Sequence, residues 1–180
     1  MSVFYPKPFM YRLIVLAALF IIAYEFKIVF YDRAKRRKDM FAKALAAKNR
    51  TGKPIMVIGD PATDNYSLTK FDYGCGDLCV DINGCPNCAN AQTRDINHGF
   101  SDFADNSHVV FVSCTLEYSN DIYSVYDELM RISGGDLFIV AIEPNSIKTN
   151  LARNLGYSKF NRKWRIHSLP NINTFIAEPF

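Results

Sequence analysis

Acidic residues are scarce in the first fifty positions, which hold 3 Asp and Glu against 11 Lys and Arg, whereas residues 51–180 hold 15 against 10. The net charge of +3 is therefore a cancellation between a basic beginning and an acidic remainder. Histidine is equally sparse. His98, His108 and His167 stand far apart, which excludes a sequence-local histidine metal cluster and leaves each as a surface or core residue. Long apolar runs are missing outside one region, and 22% charged residues with 49% hydrophobic ones exclude a polytopic membrane protein, a coiled coil and a disordered tail. No small-x-small cleavage site follows the apolar region; IVFYDRAKRRK does, which argues against a removed signal peptide.

That region reads LIVLAALFIIAY over residues 13–24 and resumes after Glu25-Phe26-Lys27 as IVFY. Residues 13–31 form a helix of about 28 Å at about 1.5 Å per residue, close to the roughly 30 Å hydrocarbon core. Arg12 can snorkel, and Phe4, Tyr5, Phe9 and Tyr11 before the run and Phe26, Phe30 and Tyr31 at its end suit the two interfaces. Arg33, Lys35, Arg36, Arg37 and Lys38 follow the span against Lys7 and Arg12 before it, so the basic flank predicts a single-pass membrane protein with its C-terminal domain cytosolic. The sequons Asn49-Arg50-Thr51 and Asn65-Tyr66-Ser67 test that orientation. Residues 1–31 are thus flank and transmembrane helix, and 32–52 a basic helical stalk ending at Gly52. Its weak apolar face, Met40, Phe41, Ala44 and Leu45, is expected to pack on the domain that follows.

Residues 53–180 read as an α/β domain. PIMVIG at 54–59, LCVDI at 78–82, HVVFVSC at 108–114 and LFIVAI at 137–142 are short apolar runs typical of buried parallel strands. IYSVYDELMRI at 122–132 has helical periodicity, and Gly134-Gly135 turns it into the next strand. A weaker helix at 146–154 leads to 164–168 and 173–177, which predict an antiparallel hairpin closing a mostly parallel sheet.

ADNSHVVF at 104–111, TLEYSND at 115–121 and ELMRISGGDLFI at 128–139 resemble, in order, the fourth strand, the post-strand segment, and the helix, double-glycine turn and fifth strand of class I S-adenosylmethionine-dependent methyltransferases. The resemblance covers roughly residues 54–180 and implies a reduced Rossmann-like fold. It places cofactor-binding roles on Gly59 and Asp60 in the first turn and on Asp81, the acid that would meet the cofactor ribose. Glu117 matches the family's post-strand acid, a substrate contact or a cap for the next helix.

The departures point away from catalysis. Val57 stands where the first strand should carry an acid, and Gly59-Asp60-Pro61 replaces the glycine-rich turn; Pro61 fixes φ and deletes an N–H. Only 27 residues separate Asp81 from Val109, so this flank of the sheet is trimmed. No Asn/Asp-Pro-Pro-aromatic element follows the fourth strand. The reading is a structural or interaction head with no catalytic residues and no cofactor, with a membrane-tethered methyltransferase as the alternative. A shortened, anchored version of this fold carrying YGCGDLCVDINGCPNC is also similar to virion-associated methyltransferase-like proteins of large nucleocytoplasmic DNA viruses. That resemblance implies a minor capsid or membrane-to-capsid linking role, with the head between the virion's internal membrane and its capsid.

Cys75, Cys79, Cys85 and Cys88 fall within fourteen residues. Four thiolates suit tetrahedral zinc, although the spacing is not that of a zinc ribbon; structural thiols, or a disulfide or redox pair, are the other readings. Cys114 is expected in the core. Residues 151–180 carry five Lys and Arg against Glu178, with Tyr157, Phe160 and Trp164 interleaved. A basic segment of this kind fits an acidic protein surface or lipid headgroups better than nucleic acid, because the domain as a whole is not basic. The expected partners are the lipid bilayer and neighbouring capsid or membrane proteins.

Overall fold

The computed structural model describes residues 8–61 and 73–140 and, beyond them, 147, 151 and 155. Helix α1 (Pro8–Phe26) runs through one π-helical stretch, Lys27–Asp32, into α2 (Arg33–Thr51). The Lys27 ammonium bonds the Asp32 carboxylate at 3.0 Å across that wider turn. Together Phe9–Thr51 form a 43-residue helix long and apolar enough to cross a membrane. Leu16, Phe20 and Ile22 are 62%, 73% and 64% exposed, and the apolar surface of α1 is not turned to one side. An apolar helix that leaves its hydrophobic side chains uncovered all round has the character of a membrane span.

Gly52 ends α2 in the left-handed conformation, its N–H on the Lys48 carbonyl, and the chain turns back into β1 (Ile55–Ile58). Among the described residues four further strands follow: β2 (Leu78–Asp81), β3 (Ala91–Thr93), β4 (Val109–Ser113) and β5 (Leu137–Val140). All pair in parallel, in the order β3-β2-β1-β4-β5. The central strands β1 and β4 are buried along their whole length, as parallel strands covered on both faces must be.

Each face has its own cover. Alternation sends Met56, Ile58, Val110 and Val112 towards α3 (Ile122–Ser133), which buries Ile122, Val125, Tyr126, Leu129 and Ile132. The Asp121 side chain caps α3 by accepting from the Tyr123 and Ser124 N–H groups, and Gly134 ends it in the left-handed conformation. Ile55, Val57, Val109 and Phe111 face the other way, onto Met40, Ala44 and Ala47 of α2. The residues read as a stalk therefore form a layer of the domain: Met40 and Ala44 are buried, and Phe41 packs edge-on against Phe111, while Leu45 stays exposed.

Ion pairs fasten the far end of α2 to the amino ends of the strands. Lys48 bonds Asp77 at 2.7 Å just before β2, and Asp77 also accepts the Ile55 N–H. The Lys48 bond first, and the Ile55 N–H second, hold the Asp77 carboxyl below its usual range. Lys53 reaches Asp136 at 3.0 Å just before β5. Between β2 and β3 there is no helix, only turns and two disulfides, so this flank is trimmed. The expected hairpin at 164–177 lies outside the described residues.

Candidate functional site

The carboxyl ends of β2, β1 and β4 frame a cavity of about 540 Å³. Its place follows from topology: β1 connects to β2 on one side while β4 pairs on the other, and diverging connections leave a crevice above the reversal. The volume lies within the range of ligand sites.

Gly59, Asp60 and Asp81, the positions singled out through the resemblance, all line it. Gly59 has φ +103°, and a Cβ built on it would lie 2.8 Å from the Ser113 carbonyl oxygen and 2.6 Å from Thr115 Oγ1. The space this glycine frees is thus filled by the protein's own β4 end. Asp60 is buried, and its N–H donates to Asp81 Oδ2 at 3.1 Å; Asp81 Oδ1 accepts from the Asn83 N–H at 2.8 Å. The acid of β2 holds two turns in place. Tyr73 closes the same wall, its hydroxyl donating to the Gly59 carbonyl at 3.3 Å.

Of the lining residues that were not legible as site residues, three adjoin one another at the end of β4. Arg37 of α2 is buried, its guanidinium 5.6 Å from the Tyr73 ring centroid and 3.5 Å from Cys114 Sγ. In the sequence it counted only towards the basic flank, yet it shares the stripe of Met40, Ala44 and Ala47 at helical spacing, the signal that it turns inward. Cys114 corrects an expectation. It lies just past β4 with φ +52°, half-buried in the cavity wall, not in the core. Ser113 is buried beside it, and its hydroxyl has no hydrogen-bond partner among the described residues.

The cavity's charges are Arg37 and Arg94 against Asp60, Asp81 and Asp95. Arg94 is bound by both oxygens of Asp102, each at 2.6 Å. Asp95 accepts the Asn97 N–H and side-chain amide, bonds that hold its carboxyl below the usual range and keep it ionised. Such a site can bind a ligand with a cationic group and, at Arg37, an anionic one.

Glu117 neither lines this cavity nor caps α3; it is buried in the short helix Leu116–Tyr118. His98 is exposed, and His108 is half-buried with Nδ1 2.8 Å from the Ser107 hydroxyl. His167 and all five Lys and Arg of the basic segment 151–180 lie outside the described residues.

The four clustered cysteines are brought together as Cys75–Cys88 and Cys79–Cys85 disulfides. The sulfurs of Cys79, Cys85 and Cys88 lie within 4.8 Å of one another, close enough for a metal to bridge them once reduced. No protein-family model, curated protein or solved structure matches the chain.

Proposed function

We propose that the chain is a single-pass membrane protein whose Rossmann-like, methyltransferase-like head is non-catalytic and serves a structural or interaction role. One observation carries the reading: a single continuous helix is uncovered and apolar over α1 and core-forming over α2, so the head is built directly onto its anchor. A head joined through a packed helix, not a flexible linker, holds a fixed distance and orientation to the bilayer. That suits a link between a membrane and a neighbouring protein layer, such as the internal membrane and capsid of a large DNA virus. The strand order supports the Rossmann-like class.

The loss of catalysis is supported by the turn after β1. The Asp60 carboxylate is buried where the family's cofactor would lie, and the end of β4 already fills the space freed by Gly59. The cavity itself favours the second reading, a membrane-tethered methyltransferase, because it lies where that cofactor would bind. Isothermal titration of the full chain in detergent micelles with S-adenosylmethionine separates them: no heat is expected, and micromolar binding would overturn the non-catalytic reading. Resistance of the chain to alkaline carbonate extraction checks the anchor.

A further inference from the structure

The direction of α2 decides which way the cavity looks. Its last turn meets the amino ends of the strands, through Lys48 on Asp77 before β2 and Arg50 on Asp136 before β5. Its first turns meet the carboxyl ends, through Arg37 beside Cys114. Helix and strands are therefore antiparallel, and the carboxyl edge of the sheet lies on the side of α1. Arg37 follows Tyr31 by six residues, about 9 Å along a helix axis. A second contact agrees: the Ile147 N–H, past β5, donates to the Glu25 carboxylate at the end of α1. Ile147, Leu151 and Leu155, spaced by four with the Leu155 N–H on the Leu151 carbonyl, expose apolar side chains on that part of the chain.

We propose that the carboxyl-edge cavity opens onto the bilayer surface and binds the headgroup of an ethanolamine-type aminophospholipid. The inference rests on reading α1 as the membrane span. Arg37, the lining residue nearest the span in sequence, takes the phosphate, and the Ser113 hydroxyl in the same wall supplies a neutral donor. The primary ammonium goes to Asp81 and Asp95, whose hydrogen-bond donors among the described residues are all neutral N–H groups. Charge complementarity selects the headgroup. An anionic glycerol headgroup has nothing to offer these carboxylates but hydroxyls, and a trimethylated choline has no N–H to donate. Three ammonium hydrogens against ionised carboxylates give charge-assisted bonds.

The test uses the full chain in phosphatidylcholine nanodiscs and has two arms. A nitroxide on Cys114, the cysteine outside both disulfides, reports depth by its relative collisions with oxygen and a water-soluble nickel chelate. It is compared with one on Asp136→Cys in a Cys114→Ser background. The Cys114 label is expected to favour oxygen and the Asp136 label nickel. Equal or reversed ratios overturn the orientation, and with it the site, whatever the headgroup result. In the second arm, dihexanoyl phosphatidylethanolamine, phosphatidylcholine and phosphatidylglycerol are titrated. Phosphatidylethanolamine is expected to bind about tenfold more tightly than either, the scale of one added charge-assisted hydrogen bond. Asp81→Asn is expected to remove that preference, and Asp95→Asn, which keeps a competent helix cap, to weaken it. Equal affinities, or tightest binding of phosphatidylglycerol, overturn the headgroup assignment while leaving the anchor and orientation standing.

Discussion

Two glycines of nearly equal φ allow the packing at the end of β1 to be weighed. Gly59 has φ +103° and Gly135 φ +97°, so an alanine at either meets the same backbone penalty, about 1 to 2 kcal/mol. They differ in room. A Cβ on Gly135 finds nothing within 4 Å, while one on Gly59 meets the Ser113 carbonyl oxygen at 2.8 Å and Thr115 Oγ1 at 2.6 Å. The threonine side chain can turn away; the carbonyl belongs to the last residue of β4, which pairs with Val140 of β5, and cannot move without disturbing that end of the sheet. Forcing a methyl into such a site costs about 1 to 3 kcal/mol beyond the backbone term. Gly135→Ala should thus lose about 1 to 2 kcal/mol and Gly59→Ala about 2 to 5 kcal/mol, measured by urea unfolding of the micelle-bound chain with far-ultraviolet circular dichroism. Equal losses for the two variants would refute the claim that the protein itself fills the space freed by Gly59.

Burial holds the His108 imidazole below its ordinary pKa of 6.5, against a weaker pull from Asp77 in the other direction. The neutral ring is the form the fold prefers, so its contribution is complete above 6.5 and is lost as pH falls below that value; His108→Leu should flatten that part of the stability profile. Asp121→Ala removes the cap of α3 and should cost about 1 kcal/mol in the same unfolding assay, with Asp121→Asn close to neutral. The oxidised chain should yield one alkylatable thiol, Cys114, by mass spectrometry. Reducing or replacing the Cys75–Cys88 pair should cost about 3 kcal/mol, from the loop it closes.

The central strands β1 and β4 were legible because burial on both faces makes them apolar runs, and β2 and β5 as short, mostly apolar runs beside them. The fifth, Ala91-Gln92-Thr93, is exposed at the sheet edge; its pairing is made by backbone groups, which leave no mark on side-chain choice. Helix α3 announced itself by its period and its glycine stop, while its cap, Asp121, was not read from the sequence. Gly59, Asp60 and Asp81 were found through a resemblance, and the crevice does gather them. Arg37 and Cys114 were not found, for different reasons. Arg37 looked like one charge among five until the packing of α2 fixed which face turned inward. Cys114 continues an apolar run in sequence, but the chain breaks from extended geometry there, and a left-handed residue cannot be read from a run of β-formers.

The sidedness of the membrane and the state of the cysteines are a single question. Lys35 and Lys38 remain exposed just past the span, whereas Arg37 is spent inside the domain, so the orienting positive charge is smaller in the fold than in the sequence. Orientation is decided during insertion, however, before α2 has packed, and the unfolded flank still presents its whole basic cluster to the cytosolic side. A head delivered there meets a reducing environment in which Cys75–Cys88 and Cys79–Cys85 would not persist. Cells lysed in alkylating reagent should therefore yield the chain with all five cysteines modified and both sequons bare, and the disulfides should form only on exposure to oxidant. Zinc bound by the reduced domain would keep the same four sulfurs from the reagent until chelated, and would show as metal in the purified chain. Sugar on Asn49 or Asn65, together with protected cysteines, would reverse the orientation and make the disulfides native from the start.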